Sequence, residues 1–179
     1  QGRDEDVIRA NTALTTIFQD CLRPRSISVG DTVEQEKSIV ECYWVIETLD
    51  PANEAELSRD IPDDLMEKRI PKNIIQPLVE NALFHGLDNA ETGRKSGWIK
   101  VAMMQDGDEL VLSVSNNGTP IEPDLLAKLD AGEELSHGGS HIGLMNIRRR
   151  LEMIYGDDAC LTIVSGDVTK VTIRMPDRL

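Results

Sequence analysis

Basic and aromatic residues are both scarce in this chain. Across its 179 residues, 19 Lys and Arg stand against 32 Asp and Glu, so the formal net charge is −13, and only 3% of the residues are aromatic. A surface this acidic repels nucleic acid and anionic lipid, and the chain lacks the aromatic platforms on which single-stranded bases stack. We therefore expect neither nucleic acid nor a membrane surface as a partner of this chain.

Cysteines are few, and long apolar runs are missing. The three cysteines, Cys21, Cys42 and Cys160, are odd in number and far apart, which argues against a disulfide framework and against a paired-cysteine metal site. No stretch approaches the roughly 18 apolar residues of a membrane helix, and no signal-peptide pattern opens the chain. The remaining composition, 40% hydrophobic and 28% charged, is typical of a folded protein of the reducing cytoplasm.

The first fifty residues are predicted to form a helical hairpin. One stripe of apolar residues at spacings of three and four stops at Arg23-Pro24, and a second ends before Pro51. Asp31 and Thr32, each followed three positions on by an acidic or amide residue, offer alternative N-caps for the second helix. Because both stripes are narrow, we expect the hairpin to pack against the rest of the chain or against a second copy of itself.

The remainder of the chain mixes helices with strands. Residues 106–108, Asp-Gly-Asp, predict a hairpin, and Pro77 is expected to disturb one turn of its helix. The predicted fold class is α+β, a sandwich with helices on one face of a largely antiparallel sheet. The periodicity predicts strands over 56–61, 98–105, 110–115, 160–165 and 170–175, and helices over 71–86, 123–129 and 144–154.

One helix brings an amide, an imidazole and a carboxylate together. Asn81 and His85, four residues apart, stand on nearly the same helical face, and Glu80 lies a quarter-turn round. An amide oxygen suits Mg²⁺, which takes few protein ligands and completes its shell with water and phosphate. From this helix alone, solvated side chains near a helix C-terminus explain the pattern equally well.

Three loops and one basic run add weaker signals. Residues 114–121 are predicted to form a turn after a strand, and residues 165–169 a turn between the last two strands. Residues 138–144 are predicted to form a glycine-rich loop before a helix, a place where free N–H groups can receive phosphate. The arginines at 148–150 are candidates for neutralising phosphate charge, although three consecutive helical residues fan apart. None of these features is specific by itself.

In this order, the elements resemble the GHKL ATPase superfamily of gyrase, heat-shock chaperone, histidine kinase and MutL, and most closely the LytS/YesM-type sensor histidine kinases. The family's N box is similar to Ile-Pro at 70–71, Gln-Pro-Leu-Val-Glu-Asn-Ala at 76–82 and the His85-Gly86 pair. Its G2 box is similar to Ile-Gly-Leu-Met-Asn-Ile at 142–147, followed by Arg150-Leu151. The resemblance covers about residues 53–176 and, more loosely, the preceding hairpin.

The resemblance implies a Bergerat-type ATP-binding sandwich over residues 53–179, after a dimerisation and linker segment over 1–50. It implies that Asn81 coordinates Mg²⁺ and that Glu80, Asn81 and His85 act at the phosphates. The adenine pocket would involve Asn116, Gly118 and Thr169. The implied lid residues are Gly139, Ser140, His141, Gly143 and Leu144.

The implied function is that of the cytoplasmic catalytic region of a two-component sensor histidine kinase. Such a kinase moves the γ-phosphoryl group of ATP to a protein histidine and then to a response regulator. The three histidines, His85, His137 and His141, all fall in the ATP-binding part, and Gln1 is not an initiator Met. We therefore expect the acceptor histidine upstream, in a longer, homodimeric protein anchored in a membrane.

Two positions of the first G box depart from the family's pattern. The first G box of the family usually reads Asp-x-Gly-x-Gly, whereas this chain has Asn116 and Pro120 at the outer positions. A neutral hydrogen bond is weaker than a charged one, so we expect adenine affinity to fall by about an order of magnitude. Two alternatives stay open: a degenerate scaffold that signals by protein contact without ATP, and an ATPase or serine kinase of the same fold.

Overall fold

A computed structural model gives the structure of the protein and describes residues 2–22, 30–89, 91–131 and 142–179. A π-helical turn, Ala82–Leu87, continues the third helix, and short 3₁₀ turns lie at Asp63–Leu65 and Gly156–Asp158. The α-helices are α1 (Gly2–Leu22), α2 (Val33–Glu47), α3 (Ile75–Asn81), α4 (Pro123–Ala131) and α5 (Ile142–Tyr155). The strands are β1 (Asp31–Thr32), β2 (Asn53–Asp60), β3 (Arg69–Ile70), β4 (Asp88–Asn89), β5 (Arg94–Asp106), β6 (Glu109–Asn116), β7 (Cys160–Val164) and β8 (Thr169–Pro176).

The larger sheet is mixed and has the strand order β2-β5-β6-β8-β7, with β4 beside the start of β5. Strand β2 runs parallel to β5, with Leu57 opposite Ile99, while the other pairings in this sheet are antiparallel. The predicted β5–β6 hairpin is present, and Gly107 in its turn takes φ +62°. Strands β1 and β3 form a separate antiparallel pair.

Helices cover one face of the sheet. Alternate residues of the central strands are buried, while their neighbours Lys100, Met104 and Lys170 are exposed on the other face. This two-layer arrangement confirms the predicted α+β fold class with helices on one face. Leu78, Val79 and Leu83 near α3, Leu144, Ile147 and Leu151 of α5, and Ile99, Val101, Leu110, Leu112, Val114, Val171 and Ile173 of the sheet form the core between the layers.

The two N-terminal helices contact each other, and α2 also packs on α3. Helix α2 begins with a capping box, in which the Thr32 hydroxyl accepts from the Gln35 N–H at 3.2 Å and the Gln35 side chain accepts from the Thr32 N–H at 3.0 Å. Of the two N-cap alternatives, Thr32 is therefore the cap. Within the described ranges, no helix combines the length and the apolar character that crossing a membrane requires.

The expectations about Pro77 and several boundaries are corrected. Pro77 is the third residue of α3, where an N–H has no intrahelical partner, so proline costs the helix nothing there. The irregularity comes later, in the π-helical turn, and the helical stretch runs past Gly86 to Leu87. Strands β2 and β5 begin earlier than predicted, because Asn53 and Glu54 of β2 pair with residues 95–96 of β5, and Arg94 of β5 pairs with Asn89 of β4.

Candidate functional site

A cleft opens where α3 and its π-helical continuation meet the start of α5 and the ends of β6 and β8. Together with its open, solvent-filled mouth it encloses about 390 Å³ of space. Apolar walls with a few polar groups suit a ligand that has a flat apolar part and a polar end. The lining residues are Leu78, Asn81, Ala82, His85, Gly86, Val114, Asn116, Thr119, Ile121, Leu144, Thr169 and Val171.

The floor of the cleft carries a buried amide. Asn116, the last residue of β6, is 3% exposed, and its Nδ2 has no hydrogen-bond partner within the described part of the chain. Gly86 packs against this amide so closely that a Cβ atom there would lie 2.2 Å from Nδ2. An unpaired buried donor costs on the order of 1–3 kcal/mol. A ligand acceptor in the cleft would relieve that cost.

Two glycines let the loop after β6 cross the π-helical turn. The Thr119 N–H donates to the Gly86 carbonyl at 2.7 Å. A Cβ atom on Gly118 would stand 1.9 Å from the same carbonyl oxygen, a backbone atom, so this approach requires glycine. Gly118 is thus placed beside the cleft, where it shapes the wall next to Asn116.

A pair of hydroxyl groups lies at the start of the strand next to Asn116. Thr169, the first residue of β8, is buried opposite Asn116, and its hydroxyl lies 2.8 Å from the Ser165 hydroxyl. The Ile121 N–H donates to Ser165 at 2.8 Å. Ser165 therefore ties the loop after β6 to the start of β8. Sequence reasoning missed this residue, because a serine in a turn carries no signal of a partner 44 residues away.

Asn81 and His85 both line the cleft, as their spacing predicts. The Asn81 Nδ2 donates to the Pro77 carbonyl at 2.7 Å, and an amide held through its nitrogen presents its oxygen, the atom that ligates a metal. Glu80 lies round the helix and accepts from the Gln76 side chain at 2.9 Å. It is not among the described residues that line the cleft.

Desolvation of its ring lowers the pKa of His85, and the charge of Asp88 opposes this effect. An imidazole with a lowered pKa is neutral near pH 7. A polyanion bound beside it would favour the protonated form and raise the pKa again.

We expect an NMR titration of the His85 ring, assigned with His85→Gln, to give a pKa below about 6.5. Below that pH the unfolded chain takes up the proton before the folded chain does. The stability contributed by the neutral ring is thus complete above pH about 6.5 and is lost as the pH falls towards the folded-state pKa. A measured pKa at or above the ordinary value would contradict the desolvation of this ring.

The arginines of α5 are engaged elsewhere in the fold. Arg148 and Arg150 donate to backbone carbonyl groups, and Arg149 is exposed. The expectation that these residues neutralise phosphate is corrected for Arg148 and Arg150, which tie α5 to neighbouring segments instead. The acceptors are the carbonyl oxygens of Leu129 and Leu161 for Arg148, at 3.0 and 3.4 Å, and those of Lys72 and Asn73 for Arg150.

The glycine-rich loop is described only at its end. Leu144 is buried in the cleft wall, and a Cβ atom on Gly143 would lie 3.1 Å from the Asn81 Nδ2. The start of α5 thus packs directly against the predicted metal ligand. The other predicted lid residues, Gly139, Ser140 and His141, lie outside the described residues.

The chemistry of the site suits a Mg²⁺ ion that is held mainly by the phosphate oxygens of a bound molecule and by water. Among the residues with described positions, no group of three or more His, Cys, Asp or Glu side chains gathers as a metal site. Mg²⁺ commonly takes only one or two protein ligands and fills its shell with phosphate oxygens and water. Asn81, which lines the cleft, fits that mode of binding.

Sequence comparison finds relatives over most of the chain. Residues 67–179 match the family described as histidine kinase-, DNA gyrase B-, and HSP90-like ATPase. The chain is 34% identical over 151 residues to the sensor protein LytS of Streptococcus agalactiae serotype V, a match that covers 83% of this chain and 25% of LytS. The chain therefore spans about a quarter of the length of this relative. These matches confirm the resemblance to LytS-type proteins.

Solved structures share the fold. The histidine kinase domain of the Erythrobacter litoralis EL346 blue-light activated histidine kinase aligns with a TM-score of 0.57 at 20% identity, covering 96% of this chain and 75% of that one. The catalytic domain of the histidine kinase ThkA aligns with a TM-score of 0.59 at 16% identity, covering 82% and 94%. At these identities, the likeness concerns the fold alone.

Proposed function

Because the chain belongs to the family of histidine kinase-, DNA gyrase B- and HSP90-like ATPases, we propose that its cleft binds Mg²⁺-ATP for the reaction of a sensor histidine kinase. In this proposal, the γ-phosphoryl group passes to a histidine upstream of Gln1 in a longer protein, and from there to a response regulator. The observation that carries the proposal is the buried, unpaired Nδ2 of Asn116 in a cleft also lined by Asn81 and His85.

The end of the cleft near β6 and β8 suits an adenine ring. The Asn116 amide offers an oxygen that accepts from an amino group and an N–H that donates to a ring nitrogen, and both functions lie on an adenine edge. The Thr169 hydroxyl stands on the neighbouring strand. Apolar walls from Leu78 and Val171 would enclose a flat ring. We therefore assign adenine to this end, beside Gly118.

The end of the cleft near α3 suits the phosphates. Asn81 would hold Mg²⁺, which would neutralise phosphate charge when bound. His85 would gain a proton beside the phosphates, and Glu80 would act from the adjacent helical face. In this proposal, the ATP lid that cradles the phosphates consists of Gly139, Ser140, His141, Gly143 and Leu144. Catalysis then consists mainly of positioning and charge neutralisation.

We assign residues 53–179 to the ATP-binding domain and residues 1–50 to part of a dimerisation and linker segment. The packing of α2 on α3 supports a linker that contacts the catalytic part directly. The full-length protein would be a homodimeric receptor anchored in a membrane, with this region on the cytoplasmic side. Its partner in phosphotransfer would be a response regulator.

A labelling experiment tests the phosphoryl transfer. The chain is incubated with Mg²⁺ and γ-labelled ATP together with the longer protein carrying Asn81→Ala, which supplies the acceptor histidine and lacks the metal ligand. We expect acid-labile label on the longer protein that depends on the added chain. Release of inorganic phosphate without labelled protein would indicate an ATPase. Nucleotide that stays intact would contradict the proposed function.

A further inference from the structure

Helix α3, which leads into the cleft, has no N-cap of its own. Its N-cap position is Ile74, which makes no side-chain cap hydrogen bond, and no acidic residue lies in its first turn. The first N–H groups of a helix have no intrahelical acceptor, and leaving them buried and unpaired costs free energy. Their acceptor has to come from another part of the chain.

Glu36 of α2 supplies that acceptor. One carboxylate oxygen accepts from the Asn73 N–H at 2.5 Å, and the other accepts from the Ile74 and Ile75 N–H groups at 2.9 and 3.1 Å. Glu36 is only 4% exposed. Burial raises its pKa, and the three N–H donors oppose that rise. The start of α3 is therefore fixed to one side chain of α2.

The same segment is also held from two other directions. Arg150 of α5 donates to the carbonyl oxygens of Lys72 and Asn73. The Lys72 ammonium lies 3.0 Å from the Asp31 carboxylate. Asn73 takes φ +54°, which is uncommon for a residue other than glycine. A backbone bound at its N–H groups by Glu36 and at its carbonyl groups by Arg150 has little freedom to shift.

Helix α3 connects this anchor to the phosphate end of the cleft. Asn81 follows Ile75 by six residues, or about 9 Å at 1.5 Å per residue, and His85 lies in the next turn. We propose that Glu36 is a positioning residue of the nucleotide site, which fixes the start of α3 and through it the placement of Asn81 and His85. This inference rests on the proposed function of the cleft.

The polar groups at the adenine end of the cleft do not stand on α3. Asn116 and Thr169 are held by β6 and β8, which pair with each other. A change at Glu36 should therefore weaken interactions with Mg²⁺ and phosphate and leave interactions with the base unchanged. A general loss of the fold would weaken both.

Glu36→Gln keeps the shape of the side chain but turns one acceptor oxygen into a donor that faces N–H groups. We titrate this variant with a non-hydrolysable ATP analogue plus Mg²⁺ and, separately, with adenosine. We expect about a tenfold loss of affinity for the Mg²⁺-bound analogue, as for other residues that orient a metal ligand, and unchanged affinity for adenosine. The matched control is Glu34→Gln on the same helix, where Glu34 is exposed and pairs with Lys37.

Two results would overturn the positioning role: equal affinity of Glu36→Gln and the unaltered chain for the Mg²⁺-bound analogue, or an equal loss for both ligands. Should Glu36→Gln fail to fold, Glu36→Asp keeps the charge and withdraws it by one methylene. It must show the same difference between the two ligands, and equal effects on both would again overturn the role.

If the unaltered chain binds neither ligand, the proposed function is contradicted and the positioning role is decided by NMR alone. The role predicts that Glu36→Gln shifts the amide resonances of residues 73–75 and also those of Asn81 and His85, while Glu34→Gln leaves them in place. Shifts confined to residues 73–75 would overturn it, because the start of α3 would then not control the residues in the cleft.

Discussion

Replacing Gly118 with alanine is expected to damage both the fold and the cleft. The new Cβ atom would stand 1.9 Å from the Gly86 carbonyl oxygen, at a crossing of two backbones that a side-chain rotation cannot relieve. The crossing must open, and the Thr119 hydrogen bond to the same carbonyl is lost with it. We expect a stability loss of about 3 kcal/mol and a melting temperature lower by roughly 10 °C. Nucleotide binding should fall below detection.

Gly166→Ala is the matched control for this prediction. Gly166 lies in the turn between β7 and β8, and a Cβ atom there would meet no atom within 4 Å. We expect its stability to stay within about 0.5 kcal/mol of the unaltered chain. Thermal melting followed by circular dichroism measures both variants. If Gly118→Ala melted at the same temperature as Gly166→Ala, the close crossing beside the cleft would be refuted.

Asn81→Ala is expected to remove the dependence of nucleotide binding on Mg²⁺. The side chain lines the cleft, and its nitrogen donates to the Pro77 carbonyl, so its oxygen is the atom available to ligate a metal. Losing the protein ligand of a metal that is otherwise held by phosphate and water should weaken binding of the Mg²⁺-bound ATP analogue by about 100-fold. Adenosine, which carries no phosphate, should bind as before. Calorimetric titration of both ligands measures the difference.

Asn11→Ala provides the control for Asn81→Ala. Asn11 is an exposed residue of α1, so its removal tests the loss of an asparagine away from the cleft. It should bind both ligands as the unaltered chain does. Retained Mg²⁺-dependent binding in Asn81→Ala would show that the metal is held by another residue, and the assignment of Asn81 would then be wrong.

The sequence was sufficient to predict the fold class and the spacing of the motifs in the cleft. Alternating residues identified the β5–β6 hairpin, and helical periodicity identified the helix that carries Asn81 and His85. Both signals are local, because they depend on the burial pattern of neighbouring residues. The capping box at Thr32 is local in the same way.

Features that depend on distant partners were not predictable in this way. Strand β2 is a parallel edge strand with alternating acidic residues, and its sequence does not indicate which strand it pairs with. From the sequence, Glu36 has the pattern of a solvated residue on an amphipathic helix. In the structure, its carboxylate accepts hydrogen bonds from N–H groups 37 to 39 residues away. Pro77 was expected to disturb a helix. It does not, because α3 begins at Ile75 and Pro77 therefore lies in its first turn.

The buried amide of Asn116 favours a working site over a degenerate one. Where relatives usually carry Asp, an Asn gives up a charged acceptor, and we predict about tenfold weaker adenine binding. The same substitution places a donor at the cleft floor, and that donor has no partner among the described residues. A scaffold that never binds a ligand would gain nothing from keeping this donor unpaired.

The most direct measurement is a calorimetric titration of the unaltered chain with a non-hydrolysable ATP analogue, with and without Mg²⁺. We predict saturable binding that requires Mg²⁺, because in the proposed site Asn81 would contact the nucleotide through the metal while Asn116 and Thr169 would contact the base. No heat up to millimolar nucleotide, from a chain that circular dichroism shows to be folded, would contradict a catalytic ATP site. That result would favour a kinase-like scaffold that signals by protein contact.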